Sequence, residues 1–425
     1  MMPVDCTILC RTVPGLVRFG GCLRRTFQEG LRRELMHGLR DVPQIGAVVA
    51  GSTPLMPYVV VDGAGAEVDV VNRYLRDRML GDVSPSTCRS YGYDLLRWFR
   101  LLWLLEVDWD KATEAEAAVL VGWLRNADNP QRRRRPGSPQ PGSVNARTGK
   151  PEPGLGYAPA TIAHVLTVVS GFYDFHMHFG DGPLLNPVPQ NASRRAALSH
   201  RSPLEDPRPH RRARLRPRLT QHGVRSIPDG LFEELFAQMR SDRDRALLAF
   251  YVSSGARASE LLGLRLDDID WAGKKIHVIS KGSRLREPIP ASADAFAYLA
   301  CYLDNAGPPP DGMPVWRALR GPERPLTYWA VRQVLERANA LLGTNWTLHD
   351  LRHTTAARLA ADPEITLVEI QTIMRHANLA TTQLYMTPRL DDLLGKLAEH
   401  YTRPRAEPRW PVVYDPEDVK TVFGG

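Results

Sequence analysis

The chain has 425 residues, 43% hydrophobic and 24% charged, which is enough to bury real cores and favours two or three domains over one. Its 55 Lys and Arg against 47 Asp and Glu leave a formal net charge of +8, pointing towards a polyanionic partner such as nucleic acid. Five scattered cysteines (Cys6, Cys10, Cys22, Cys88, Cys301) form neither a zinc ribbon nor a disulfide framework, and no apolar run approaches the roughly 20 residues that span a bilayer, so the expected setting is cytoplasmic, with no membrane partner.

Residues 1–60 mix Arg pairs with Gly and Pro, and only Thr26 to Leu39 reads as helical. Their role stays open: a DNA-contacting arm, a poorly ordered extension, or sequence upstream of the true start. Residues 61–190 are strongly helical in pattern. Ser84 before Pro85 is an N-cap followed by Pro at the first helical position, and Tyr91, Leu95, Trp98, Leu102 and Leu105 recur at helical spacing. Thr113 with Glu116 has capping-box spacing ahead of Val119, Leu120, Trp123 and Leu124. A third helix is expected from Pro159 to His178. Between the last two, residues 129–157 are rich in Pro, Gly, Ser and Arg and read as a mobile loop; its run Arg132, Arg133, Arg134, Arg135 is a candidate for DNA-backbone contact. Residues 191–225 read as a basic, Pro-rich linker in which Arg211, Arg212 and Arg214 are further candidates, of the kind that makes affinity fall with salt.

Residues 226–390 begin with helices from Asp229 to Arg240 and from Asp242 to Ser253. A short β section follows, with strands at Leu266–Asp270, Lys275–Ile279 and Glu287–Ile289; Pro288 and Pro290 confine the last to an edge. Helices resume from Tyr328. Four separated pieces of this domain carry cations and a phenol. Arg257 follows a Gly-containing turn at the start of a helix, where its planar fork suits an anion beside the helix amides. Lys281 occupies a hairpin turn. His349 and Arg352, three apart, share one helix face, so imidazole and guanidinium project together. His376 follows the next helix, and Tyr385 lies nine residues beyond it. Alone, each is an ordinary surface or half-buried residue. Their fixed order is what carries weight.

That order, Arg257, Lys281, His349-x-x-Arg352, His376, Tyr385, resembles the tyrosine recombinases, and Leu348 to Thr354 (LHDLRHT) is very similar to that family's central motif. Arg375 departs from it, because relatives often carry Gly before the histidine. The resemblance implies a mainly α fold with a small antiparallel β-sheet: an N-terminal helical core-binding domain and a mixed α/β catalytic domain of integrase type. It implies a site-specific recombinase whose Tyr385 attacks a DNA phosphate to form a 3′-phosphotyrosyl link. His349 would accept the phenol proton, Arg257, Arg352 and His376 would hold the phosphate, and Lys281 would protonate the leaving 5′-oxygen. No cofactor and no metal is implied.

The implied partner is double-stranded DNA with specific recombination sites, occupied by a tetramer, with an accessory DNA-bending protein left open. Residues 391–425 read as a tail whose apolar stripe, Leu390, Leu393, Leu394 and Leu397, docks on a neighbouring protomer or on its own domain. The long N-terminal segment favours integration or excision of a mobile element, with chromosome or plasmid dimer resolution as the alternative. Three rivals are weaker. His349 and His353 at i and i+4 mimic a zinc-hydrolase pair, but Arg352 sets a fixed charge beside it. The others are a type IB topoisomerase and a DNA-binding protein that has lost catalysis.

Overall fold

The computed structural model describes residues 27–132, 137–189, 213–219, 225–280, 284–376, 382–383, 390–403, 415, 417 and 420–421. The chain divides into two compact units, one comprising Met1–Val144 and Pro151–Gln221, the other Asn145–Lys150 and His222–Gly425. Both are mainly helical, each with one small antiparallel sheet. Among the described residues no helix is long and apolar enough to cross a membrane.

The first unit opens with a helix at residues 27–36 (α1), then a hairpin of β1 (Ala47–Thr53) and β2 (Met56–Val61). Four helices follow: α2 (Asp69–Leu80), α3 (Pro85–Leu104), α4 (Glu114–Asn126) and α5 (Pro159–His178). The expected start signals are in place. Ser84 caps α3 by accepting the Thr87 N–H, with Pro85 as the first helical residue. In the capping box of α4 the Glu116 carboxylate accepts from the Thr113 N–H at 2.8 Å and the Thr113 hydroxyl at 2.7 Å. Of the apolar face read at Tyr91, Leu95, Trp98, Leu102 and Leu105, Tyr91 is half-buried and the other four are buried in one core with Val119, Leu120, Val165 and Phe172. Each such leucine contributes about 1.5–3 kcal/mol of transfer free energy. The Trp98 indole N–H donates to Tyr173 Oη (3.0 Å), and Tyr173 donates on to the Trp109 carbonyl, so these two buried side chains are satisfied.

Hairpin β1–β2 was not anticipated from the sequence. Only Val59 and Val60 are buried in it, too short a run to stand out against its Gly and Pro neighbours. Asn72 on α2 holds it in place, accepting the Val60 N–H and donating to the Val60 carbonyl. Leu31, Leu35 and Val42, from the stretch read as an extension of open role, lie in the same core as Val60. The stretch expected to be a mobile loop is also more structured than its composition suggests: short bridges pair Asp128 with Gly156 and Val144 with Pro151.

In the second unit, α6 (Asp229–Ala237), α7 (Asp242–Ser254) and α8 (Ala258–Leu262) precede the sheet β3 (Ile269–Asp270), β4 (Lys275–Ile279), β5 (Arg286–Pro290), in that spatial order. Pro288 and Pro290 do lie on an edge strand, β5. The first expected strand shrinks to two residues, because Leu266–Asp268 closes into a 3-10 turn in which Asp268 accepts the Arg265 N–H. The remaining helices are α9 (Ala293–Ala306), α10 (Tyr328–Leu342), α11 (Leu348–Ala361), α12 (Leu367–Met374) and α13 (Leu390–Thr402). Helix α7 is central. Its Phe250 packs edge-on to Phe296 of α9, and its Tyr251 and Val252 carbonyls accept from Thr355 of α11.

Candidate active site

Two turns and one helix build the site. The first turn ends α7 at Gly255, whose φ of 61° is the left-handed conformation that glycine adopts without strain. Arg257 then sits at the N-cap of α8. The second turn ends α12 at Arg375, also left-handed with φ 51°, and delivers His376. Helix α11 runs between them and starts from a capping box in which Asp350 accepts from the Thr347 N–H and hydroxyl, both at 2.7 Å. That box fixes where His349 and Arg352 emerge.

Arg352 ties the pieces together. It is 5% exposed, and its two terminal nitrogens donate to the carbonyls of Gly255 and Met374, one in each turn. Arg257 adds a second tie: Nη2 donates to the Arg375 carbonyl at 2.9 Å and Nη1 to Glu260 Oε1 at 2.7 Å. His376 Nδ1 shares a hydrogen bond with Thr382 Oγ1 at 2.9 Å, and the His349 and His353 rings meet edge-on at 4.1 Å between centroids. Arg257, Arg352, His349 and His376, separated by up to 119 positions in the chain, therefore belong to one cluster.

The cluster keeps its imidazoles neutral. Burial, then the Arg352, Arg257 and Arg375 charges, push His376 down to about 4. Burial and the neighbouring His349 push His353 to about 4 as well. His349 is also lowered, by burial against the opposing pull of Asp350 and with help from Arg352 and Lys150. A neutral His349 has a lone pair with which to take a proton at neutral pH.

Three contributors escaped the sequence reading. Glu260 is the counter-charge of the site: its buried carboxylate takes the Arg257 N–H, the Arg257 guanidinium and, at 2.6 Å, Arg375. Burial raises its pKa, but those donors outweigh burial and bring it below the usual carboxylate range. Its place three residues after Arg257 was the available signal. Arg375, seen only as a departure, is the second. It accepts a left-handed backbone that glycine would take more easily, and the contact with Glu260 offsets that cost. The third is a turn at residues 145–150. Of the other candidates, Arg132 donates to the Gly154 and Gly156 carbonyls and Arg214 pairs with Glu114, both within the first unit. Lys281, Tyr385, Arg133, Arg134, Arg135, Arg211 and Arg212 lie outside the described residues.

Replacing Glu260 by alanine should destabilise the second unit by about 3–5 kcal/mol, since two arginines lose a buried counter-charge. Because its carboxyl sits below its ordinary value of 4.5, this contribution is present above that pH and fades as the pH falls through the folded value. Urea titrations at pH 7.5 and pH 4 should therefore differ between wild type and variant more at the higher pH; an equal gap at both would contradict the charge assignment.

Arg257, His349, Arg352 and His376 all fall within a stretch that matches a known family. Residues 217–390 match the Phage integrase family. The chain is 34% identical over 197 residues to the tyrosine recombinase XerC of Stutzerimonas stutzeri, covering 45% of this chain and 62% of that protein. It is 30% identical over 235 residues to XerC of Azotobacter vinelandii, covering 54% and 70%. Against XerD of Pseudomonas aeruginosa the figures are 31% over 206 residues, covering 44% and 65%. It thus spans slightly less than two thirds of two of these proteins and slightly more than two thirds of the third. Two solved structures share the fold: the Tn1549 transposon integrase in complex with circular intermediate DNA (TM-score 0.51, 17% identity, 77% of this chain and 98% of that one), and a lambda integrase dimer bound to a core site (TM-score 0.51, 16% identity, 76% and 95%). The chain belongs to the tyrosine recombinase family.

Proposed function

We infer that this protein is a site-specific DNA recombinase that cuts and rejoins strands through Tyr385. The observation that carries the reading is the tie made by Arg352, which draws the Arg257 and His376 turns around one basic cluster. A phosphodiester needs a nucleophile, neutralisation of its non-bridging oxygens and a proton for the leaving oxygen. Tyr385 attacks phosphorus, and its proton passes to His349. The bond to the 5′-oxygen breaks, and Lys281 protonates that oxygen. Arg257, Arg352 and His376 hold the phosphate as negative charge builds, where one preorganised donor is worth on the order of 3 kcal/mol. The phosphotyrosyl ester keeps the bond energy, so attack by another strand's 5′-hydroxyl reseals DNA and frees the phenol.

The partner is double-stranded DNA carrying paired recombination sites, engaged by a tetramer in the cytoplasm, on the nucleoid. Arg132 to Arg135 and Arg211, Arg212 and Arg214 are the proposed backbone contacts. The exposed Leu394 and Leu397 of α13 support a tail that docks on a neighbouring protomer. The role we assign is integration or excision of a mobile element, a reading that rests on the sequence before residue 61. Similarity to XerC and XerD proteins favours a second role with the same chemistry, chromosome or plasmid dimer resolution.

The test is a nicked suicide substrate carrying the site, incubated with the full chain. A denaturant-resistant adduct is expected, and mass spectrometry of its peptides should map the nucleotide to Tyr385. No adduct, or one on another residue, overturns the reading.

A further inference from the structure

The turn at residues 145–150 is built to hold a shape. Asn145 accepts the Arg147 and Thr148 N–H groups through its side chain, the Asn145 N–H donates to the Lys150 carbonyl, and Gly149 closes the turn at φ 61°. It belongs to the second unit although its neighbours on both sides belong to the first. Each of its polar residues grips the connection between α10 and α11. Arg147 caps the end of α10 at the Leu342 carbonyl (2.7 Å) and forks onto Glu234 (3.0 and 2.8 Å), while Asn145 donates to the Gly343 carbonyl. Thr148 donates to Asn345 Oδ1 at 2.6 Å, and the Asn345 amide returns to the Lys150 carbonyl. Lys150 itself pairs with Asp350, the capping-box residue of α11 that adjoins His349; their side chains are only 23% and 10% exposed.

We propose that Lys150 is a positioning residue for His349, acting through Asp350 and the 145–150 turn to fix the start of α11 and to keep a positive charge beside the imidazole. No role in the reacting phosphate is assigned to it. The inference rests on the proposed recombinase reading for its catalytic consequence, but the structural claim stands apart. Among the described residues, the charged and titratable groups around His349 are Asp350 and Arg352 on its own helix, His353 one turn on, His376 beyond α12, and Lys150 from the turn. Arg352 and Lys150 favour the neutral ring and Asp350 favours the protonated one. Removing the lysine takes away one positive charge and leaves Asp350 with its Thr347 hydrogen bonds but no counter-charge, so both changes push His349 towards protonation.

The experiment follows the His349 ring by NMR titration in the full chain, assigned by comparison with His349→Gln, in wild type, Lys150→Met and Lys150→Arg. Lys150→Met should titrate higher by about half a pH unit or more, and Lys150→Arg should return to the wild-type value. On the suicide substrate, the rising acid limb of the adduct-formation rate should move up with it, which at the foot of that limb is a loss of about threefold. Occupancy of a single DNA site should not change. Should Lys150→Met fail to fold, Thr148→Val decides the matter, because it releases the turn from Asn345 and keeps the charge; the same direction of shift is expected. An unmoved His349 titration overturns the proposal, and so does an unmoved limb with weakened, salt-sensitive binding, which would make Lys150 a DNA contact. No adduct from the wild type, together with a shifted His349 titration in Lys150→Met, would sink the recombinase reading and leave the positioning role intact.

Discussion

A Tyr385→Phe protein should occupy its DNA site as tightly as the wild type and give no denaturant-resistant protein–DNA adduct. The substitution removes one oxygen and leaves the ring, so packing and phosphate contacts elsewhere keep their energies. What disappears is the only proposed group that can bond to phosphorus. A phenol with an ordinary pKa near 10 is a poor nucleophile at neutral pH, so activity depends on a neutral base and on cations that stabilise the phenolate as it forms. In the mechanism we propose, His349, lowered by burial, supplies the first, and Arg257 and Arg352 supply the second. Gel-shift affinity and adduct yield measured on one preparation check both halves. An adduct equal to wild type would move the nucleophile elsewhere.

Arg352→Ala should lose at least about a hundredfold in the rate of adduct formation, the usual consequence of removing one preorganised donor worth on the order of 3 kcal/mol. It should also lower the stability of the second unit. The side chain is buried and is the donor to two carbonyls in different turns, so its removal strands both acceptors at about 1–3 kcal/mol apiece. Arg352→Lys separates the two effects. An ammonium keeps the charge but lacks the planar fork, so it cannot span both turns in the same geometry. We expect the lysine protein to recover much of the stability and remain slow in single-turnover assays. A lysine variant as fast as wild type would reduce Arg352 to a point charge.

Much of this site was legible in the sequence because its chemistry is concentrated in local spacings. His349 and Arg352 sit three apart on one helix, and Ser84–Pro85 and Thr113–Glu116 announce helices that the structure contains. Contacts between residues far apart in the chain were not legible. Lys150 reaches Asp350 across 200 positions, and nothing in its Gly- and Pro-rich surroundings distinguishes it from a solvated loop lysine. Hairpin β1–β2 escaped for a related reason: its identity depends on Asn72 and on the core beneath it, whereas its own residues alternate weakly. Arg375 was noticed as an oddity, but its value depends on Glu260, 115 positions earlier.

The double grip of Arg352 also has a mechanical side. Gly255 leads into Arg257 and Met374 leads into Arg375 and His376, so one rigid guanidinium couples two turns as a strut couples two hinges. The 374–376 turn, which precedes Tyr385 in the chain, is thereby hydrogen-bonded through Arg352 to the turn that leads into Arg257. In the recombinase we propose, nucleophile delivery and phosphate capture would then advance or retreat together.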